Sequence, residues 1–524
     1  MAPQSNSGGQ AYLPLKGLRV IDLTLLIPGD LATRKLADLG AEVVKIEPPG
    51  PGDYLRHIPP ATDGMGVHFW NLNRGKRSVA LDLRAPADRA VFDSLADVAD
   101  VIVEVSTPGK YDRLGIDFKA MRAKRPELVV CSISGFGQTG PWALLPSHGM
   151  NMDALGGNVI TIPHKGAVAM DYRLSTSLAS EMGAMNAAFS ILAAVHGART
   201  GKGGAWIDVS CWDAGFEIHR SGLVKSISGL DKTMPDLRDS VLYAPYECAD
   251  GRLFIFCAIE RKFWESFCRL VGREDLMARW QGPEGGVDYR MGDTELRTEM
   301  ERIMAAETSE AWFEKFLEHR IPGCPLYEEQ DLPQLNHTAS RGLIRHQEGA
   351  PLPIIGDPVR YHSHDWRPGL DQSRAPALDA DREEVIAEWL GQGDSDKAAI
   401  RALQLGYAHS FDSRNADAFA ALYTPDAEIT QHTGHVFAGH DKLRKAVERM
   451  PPANGGYHRI GATEIEISGE TAQARCAYLA RTADGRLAEG HYQDTYRKTD
   501  QGWKIATRAV FIDRWLETGE TGQA

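Results

Sequence analysis

The sequence is poor in clustered features, and each absence removes a class of function. Its seven cysteines, Cys131, Cys211, Cys248, Cys257, Cys268, Cys324 and Cys476, stand singly with no CxxC pair. Such spacing offers neither a four-ligand zinc set nor a disulfide framework, so no metal is expected. No block of five basic residues occurs, and the net charge is −13. A nucleic-acid backbone needs a clustered cationic surface, so nucleic acid is not an expected partner. No apolar run of about 18 residues is present, so no membrane span is expected. The opening MAPQSNSGGQAYLPL lacks a basic start followed by an apolar run, so no secretory signal is expected either. A reduced, cytoplasmic, soluble protein is the expectation. No GxGxxG follows a strand-like run, which argues against a Rossmann nucleotide site.

What is present is ordinary globular composition at a length that exceeds one domain: 524 residues, 43% hydrophobic and 25% charged. GLRVIDLT, GDLATRKLADLG and AEVVKIEPP read strand, helix, strand. The pattern repeats through SVALDL, a helix at 86–98, VADVIVEV, a helix at 116–124 and LVVCSISGFG. This alternation predicts an open α/β sheet with right-handed crossovers. The stretch 184–195 is apolar nearly all round and predicts a buried helix. Residues 241–257 read as a hairpin turning at Ala249-Asp250-Gly251, followed by helices at 261–271 and 308–318. REEVIAEWLG closes this part, and GQGDSD (391–396) has linker composition.

From Lys397 helices come first and strand-like runs follow in series, an α+β pattern. A domain boundary is placed near 395. The expected organisation is a disordered start (1–14), a domain over 15–390 with a small part near 206–329, the linker, a second domain over 397–516 and a tail at 517–524.

Residues 15–390 resemble the class III CoA-transferase family, which includes formyl-CoA transferase, the carnitine CoA-transferase and the 2-methylacyl-CoA racemases. LKGLRVIDLT, LADLGAEVVKIEPPGPGD, NRGKRSVALDL, ISGFGQTGP, ARTGKGG and AWIDVSCWDA carry the resemblance, in order. It implies a large α/β domain with a small domain, two chains interlocked as a homodimer, and acyl-CoA as substrate. In such transferases a carboxylate forms a mixed anhydride and then a CoA thioester. The family places that aspartate four residues before the glycine matching Gly183; here the position is Ala179. A one-residue gap brings Ser180 there instead. Glu181 and Asp171 are the nearest carboxylates, and Glu181 reads equally as a helix N-terminal acid. SHGMNMDALGG resembles the racemase segment whose histidine moves the proton beside the thioester. His148 matches that base, or is a structural histidine. Lys76, Arg77 and Arg113 are the candidate phosphate partners for coenzyme A, or are solvated charges.

Residues 397–516 resemble the SnoaL-like branch of the nuclear-transport-factor-2-like fold, on GYAHSFDSRNADAFAALYTPDAEI, ATEIEIS and YRKTDQGWKIATRAVF. The resemblance implies a helix-and-sheet cone around an apolar pocket. Bile-acid 7α-dehydratase and scytalone dehydratase, of that group, use Tyr, Asp and His. Tyr407, Asp412 and His458 fall on matching positions. Dehydration needs a base for an acidic C–H and an acid for the leaving hydroxyl, which these residue types supply. Asp412 as a turn residue, Tyr407 as a core tyrosine and His458 as a strand-end residue are the plain alternatives. Arg514 lies near the family's pocket-closing arginine but two residues out of register. His432, His435 and His491 are further imidazoles. Three whole-protein readings stand. One is a two-domain enzyme on a hydroxylated, possibly steroid-like, acyl-CoA or hydroxy-carboxylate. One is a CoA-transferase using Glu181 or Asp171. The last is a non-catalytic dimerisation and ligand-binding scaffold.

Overall fold

Six short apolar strands build a wholly parallel sheet in the first domain. Across the sheet they run Trp206–Ser210, Val129–Ser134, Val101–Val105, Arg19–Leu23, Glu42–Glu47 and Arg77–Ala80. The computed structural model describes residues 12–171, 177–230, 236–348, 350–372, 374–449, 457–481 and 486–516. The expected disordered start falls mostly, and the tail wholly, outside these residues. Both faces of the sheet are covered, so its strands read as continuous apolar runs. Val20, Val43, Val101 and Val129 enter one core, and Ile21, Val44, Ile102 and Val130 the other. Arg19–Leu23 lies between a strand later in sequence on each side. The winding direction reverses there, which opens a crevice at the carboxyl ends of the strands.

The apolar helix expected at 184–195 runs over Leu178–Arg199. Contrary to the sequence reading, it is long and apolar enough by length and composition to cross a membrane. It nevertheless buries Ala184, Ala187 and Ile191 in the core beneath the sheet. Phe189 on the same helix is 73% exposed.

His219–Ile344 forms a second compact unit. The expected hairpin is present as Ala244–Glu247 and Leu253–Phe256, with Gly251 in the left-handed region at its turn (φ 73°), and Gly323–Pro325 adds a third strand. Phe254, Phe256, Trp264, Phe267 and Phe316 fill its core. The unit starts later than 206 because Trp206–Ser210 pairs with Val129–Ser134 in the parallel sheet.

The segment 391–396, expected as a linker, opens on a break: Arg382–Asp412 is two helices that meet at a kink at Gly391 (φ 66°, ψ 177°), and the residues after it are helical. Their polar composition is overridden by what flanks them. Trp389, Leu390 and Ala398 sit in the first domain's core, while Ile400, Leu403 and Tyr407 sit in the second's. Arg401 also pairs with Asp97 at 2.8 Å. The helix after the kink therefore serves two cores and is shared between them.

The second domain carries a six-stranded sheet in the order Val436–Ala438, Tyr423–Thr430, Gly502–Leu516, Leu487–Thr499, Thr471–Arg481, Tyr457–Ser468. Its pairs are antiparallel except Tyr423–Thr430 with Gly502–Leu516, which is parallel. Ala472, Ala474, Cys476, Tyr478 and Ala480 are buried at every second place, so one face closes a core. The helices Ala416–Ala421 and His440–Glu448 complete the domain; the second of these had no counterpart in the sequence reading.

Candidate functional site

Two cavities hold the candidate residues. The first, about 370 Å³, lies in the crevice, where Leu25, Val105 and Ile133 mark the strand ends. His148, His68, Ser177, Ser180 and Cys211 are among its polar lining, with Ser134 and Ser147. Ala179 is fully buried and is not part of that lining. Its N–H donates to Asp153 Oδ1 at 2.8 Å. A Cβ placed on Gly215 would come within 3.2 Å of its methyl group. Ser177 caps this helix, accepting from the Ser180 N–H at 3.1 Å. Glu181 sits in the first helical turn and does not line the crevice. Asp171 is likewise outside the lining, its N–H bound to the Ile160 carbonyl at 2.8 Å. His148 begins the helix Gly149–Leu155, with its N–H donated to Asn151 Oδ1 at 2.7 Å. Burial, with the Asp153 charge behind it, pushes the Cys211 thiol up to about 12, so the crevice holds a thiol and not a thiolate.

The three candidate phosphate partners part company. Lys76 is corrected: it is buried, and its Nζ donates to Asp22 Oδ2 (2.9 Å), the Asp30 carbonyl (3.0 Å) and Asn73 Oδ1 (2.8 Å). An ammonium has three protons, and all are used inside. Lys45 joins the same buried network through Asp30 and Asp53. Arg77 is engaged with Glu388 at 2.5 Å and Glu42 at 3.8 Å, tying the strand Arg77–Ala80 to the helix before the Gly391 kink. Arg113 is exposed.

The second cavity, about 330 Å³, lies inside the second domain and is mostly apolar, with Phe411, Phe419, Phe437 and Val510 among its walls. Tyr407, Asp412 and His458 all line it. Asp412 Oδ1 meets His458 Nδ1 at 2.6 Å, and Oδ2 accepts the His458 N–H at 2.7 Å. The carboxylate can only accept, so the ring carries its proton on Nδ1 and leaves Nε2 as a base. The Phe411 and Tyr407 rings stand edge-on to the imidazole at 5.0 and 6.1 Å. Burial holds the Tyr407 phenol above its ordinary range, so it stays protonated and can donate.

Beneath this trio lies a charged pair the sequence reading missed. Buried Arg508 donates to Asp494 at 2.8 and 2.6 Å, a two-pronged contact. Its guanidinium lies 4.0 Å from the Tyr407 ring centre and 4.2 Å from that of Tyr492. Tyr496 donates to Asp494 at 2.6 Å, and Gln404 donates to Tyr496 at 2.9 Å. The signal was readable: in EGHYQDTYRKT, Tyr492, Asp494 and Tyr496 alternate, so an acid shares the buried face with two tyrosines. Arg514 is bound to Glu489 at 2.6 Å and does not line the pocket. His432 lines it; His435 packs on Phe437, and His491 pairs with Asp513 at 3.0 Å. Among the described residues no group of three or more His, Cys, Asp or Glu is placed to hold a metal.

Comparison with known proteins places both halves. The profile described as CoA-transferase family III matches residues 15–382, and that of a SnoaL-like domain matches 395–509. The acetyl-CoA:oxalate CoA-transferase of Acetobacter aceti is 31% identical over 373 residues, 70% of this chain and 93% of that protein. The succinyl-CoA:mesaconate CoA-transferase of Haloarcula hispanica is 34% identical over 393 residues, 71% and 96% of the two chains. Among solved structures, Rv3272 of Mycobacterium tuberculosis superposes with a TM-score of 0.61 at 25% identity, covering 71% of this chain and 99% of that one. A CaiB/BaiF family protein of Brucella suis gives 0.60 at 25% identity over 72% and 100%. The chain belongs to CoA-transferase family III and carries a SnoaL-like domain at its C-terminal side.

Proposed function

We propose that this is a two-domain enzyme acting on a hydroxylated acyl-CoA or hydroxy-carboxylate, with water eliminated or added in the second domain. The observation that carries the reading is the Asp412–His458 pair in the wall of an apolar pocket that also holds a protonated tyrosine. His458 Nε2 takes the proton alpha to the carbonyl, and the C–H pair becomes the new C=C bond. The C–O bond breaks, and the leaving hydroxide recovers a proton from the imidazolium and departs as water. The Tyr407 phenol donates to the carbonyl oxygen while negative charge gathers there. The first domain binds a CoA thioester in its crevice. A homodimer is part of the same reading, supported by the exposure of Phe189 and of Ile227 (83%), apolar side chains that a partner would cover.

The test is incubation of the full chain with 3-hydroxyacyl-CoA esters and the matching free acids, followed by mass spectrometry. Loss of one water that disappears in Asp412→Asn and His458→Gln supports the reading; undiminished loss in both variants sinks it. A second reading, CoA transfer between acyl-CoA and a carboxylate, is supported by relatives named for that activity. It would need Ser180, Glu181 or Asp171 in place of the missing aspartate. CoA exchange onto labelled oxalate or mesaconate that is lost in Ser180→Ala or Glu181→Ala would favour it.

A further inference from the structure

Asp412 and His458 line two cavities. One is the apolar pocket; the other is a cleft of about 520 Å³ between the shared helix and the first domain. The first domain contributes Arg84, Arg89 and Arg113 to this cleft, and the second adds His409. Arg89 is already committed to Asp93 and to the Leu114 and Gly115 carbonyls. Arg84 is held by Asp82, yet its side chain is 79% exposed. The Arg113 guanidinium has neither an ion pair nor a hydrogen-bond partner among the described residues. One free guanidinium, Arg113, and one exposed guanidinium that Asp82 shares, Arg84, thus stand beside a pair that faces an apolar pocket, on a chain whose net charge is −13.

We propose that the second domain's pocket takes its substrate as a CoA thioester, with the phosphates in the cleft on Arg84 and Arg113 and the acyl chain inside the pocket. This rests on the dehydratase reading for the reacting end alone. Guanidinia pair with phosphate oxygens in two-pronged fashion. The neutral pantetheine arm passes the apolar cleft wall at Leu405, Ala408 and Ile460. A thioester brings no charge to the Asp412 carboxylate, whereas a free acid of the same length would set a second carboxylate beside it, at a cost. The cleft therefore selects the thioester over the free acid.

Photolabelling of the full-length protein tests this without requiring turnover. Decanoyl-CoA with a diazirine at the chain end is irradiated, and labelled peptides are mapped. The expected label falls within 397–516, drops about tenfold in Arg84→Glu combined with Arg113→Glu, and is weak with the matching free acid in either protein. Label confined to the first domain overturns the inference. So does second-domain label that is indifferent to the charge reversals, or that forms equally well with the free acid. Both arginines are exposed, so the variants should fold, which a thermal melt checks. Label without dehydration of any hydroxyacyl ester removes the dehydratase reading and leaves the cleft; dehydration with charge-indifferent label does the reverse.

Discussion

Asp412 grips His458 twice, one carboxylate oxygen on the ring Nδ1 and the other on the main-chain N–H, at 2.6 and 2.7 Å. The first contact fixes the imidazole's tautomer. The second fixes where the strand Tyr457–Ser468 begins relative to the end of the shared helix. A helix terminus and a strand start are therefore joined by the carboxylate that sets the imidazole's tautomer.

Asp412→Asn separates these two jobs. The amide oxygen still accepts one hydrogen bond, but its NH2 no longer demands a proton on Nδ1, and the ring is free to present the wrong nitrogen. The expected result is a fall in kcat for dehydration of about 10²–10⁴-fold, with KM little changed and the thermal midpoint within a few degrees of the parent, about 1 kcal/mol or less. Steady-state kinetics with a thermal melt on the same sample check it. Full kcat would end the assignment of His458 as base.

Lys76→Met should act on stability and not on coenzyme A. It removes the three contacts of the ammonium and leaves Asp22 in a buried site with one cation fewer. Nearby charge now holds Asp22 down to about 2, and that support comes from Lys76 and Lys45 against the cost of burial. Breaking such a pair costs about 3–5 kcal/mol. Urea denaturation should show that loss, while coenzyme A affinity measured well below the transition stays the same. Weakened affinity with unchanged stability would restore Lys76 as a phosphate ligand.

Glu104 gives a pH dependence. It is 3% exposed, and burial raises its carboxyl from 4.5 to about 7 against the hydroxyls of Ser106 and Ser132. The folded state thus binds this proton more tightly than the unfolded state does. Stability is unaffected by the group below about pH 4.5, falls as pH rises toward 7, and stays reduced above that. Glu104→Gln keeps the neutral shape and should be more stable than the parent at pH 8 by up to about 3 kcal/mol, with the gain vanishing near pH 4.5. Urea midpoints at pH 5 and pH 8 measure it. A gain of equal size at both would mean burial does not control this carboxyl.

Much of the architecture was legible because the hydrophobic period changes along the chain. Alternating runs gave the parallel sheet, and the change at Lys397 gave the second domain. GQGDSD reads as a linker from composition, which does not reveal that Trp389 and Ala398, on either side, share a core. Tyr407, Asp412 and His458 were legible as motif positions, and the structure brings the three together. Arg508 and Asp494 were hidden because an internal ion pair looks like two surface charges until strand alternation is applied to both partners. Lys76 failed for the same reason: a basic residue after a glycine turn says nothing of the carboxylates that wait beneath it.

Ala179→Asp alone should not create a transferase nucleophile. The main-chain N–H of Ala179 already rests on Asp153 at 2.8 Å. A new carboxylate at 179 therefore arrives in a buried site next to an existing one. Two neighbouring carboxylates cannot both stay ionised there, so one takes up a proton and nucleophilicity is lost with the charge. Space is short as well, since Ala179 is fully buried. The single variant should lose about 2–4 kcal/mol and show no CoA exchange. Ala179→Asp with Asp153→Asn removes the competing charge and keeps an acceptor for the amide. It should recover part of the stability and is the variant in which exchange of CoA onto labelled oxalate is expected to appear. Isotope exchange and urea denaturation on the parent, the single and the double variant decide the matter. Exchange in Ala179→Asp alone would show that Asp153 does not govern the charge at this position.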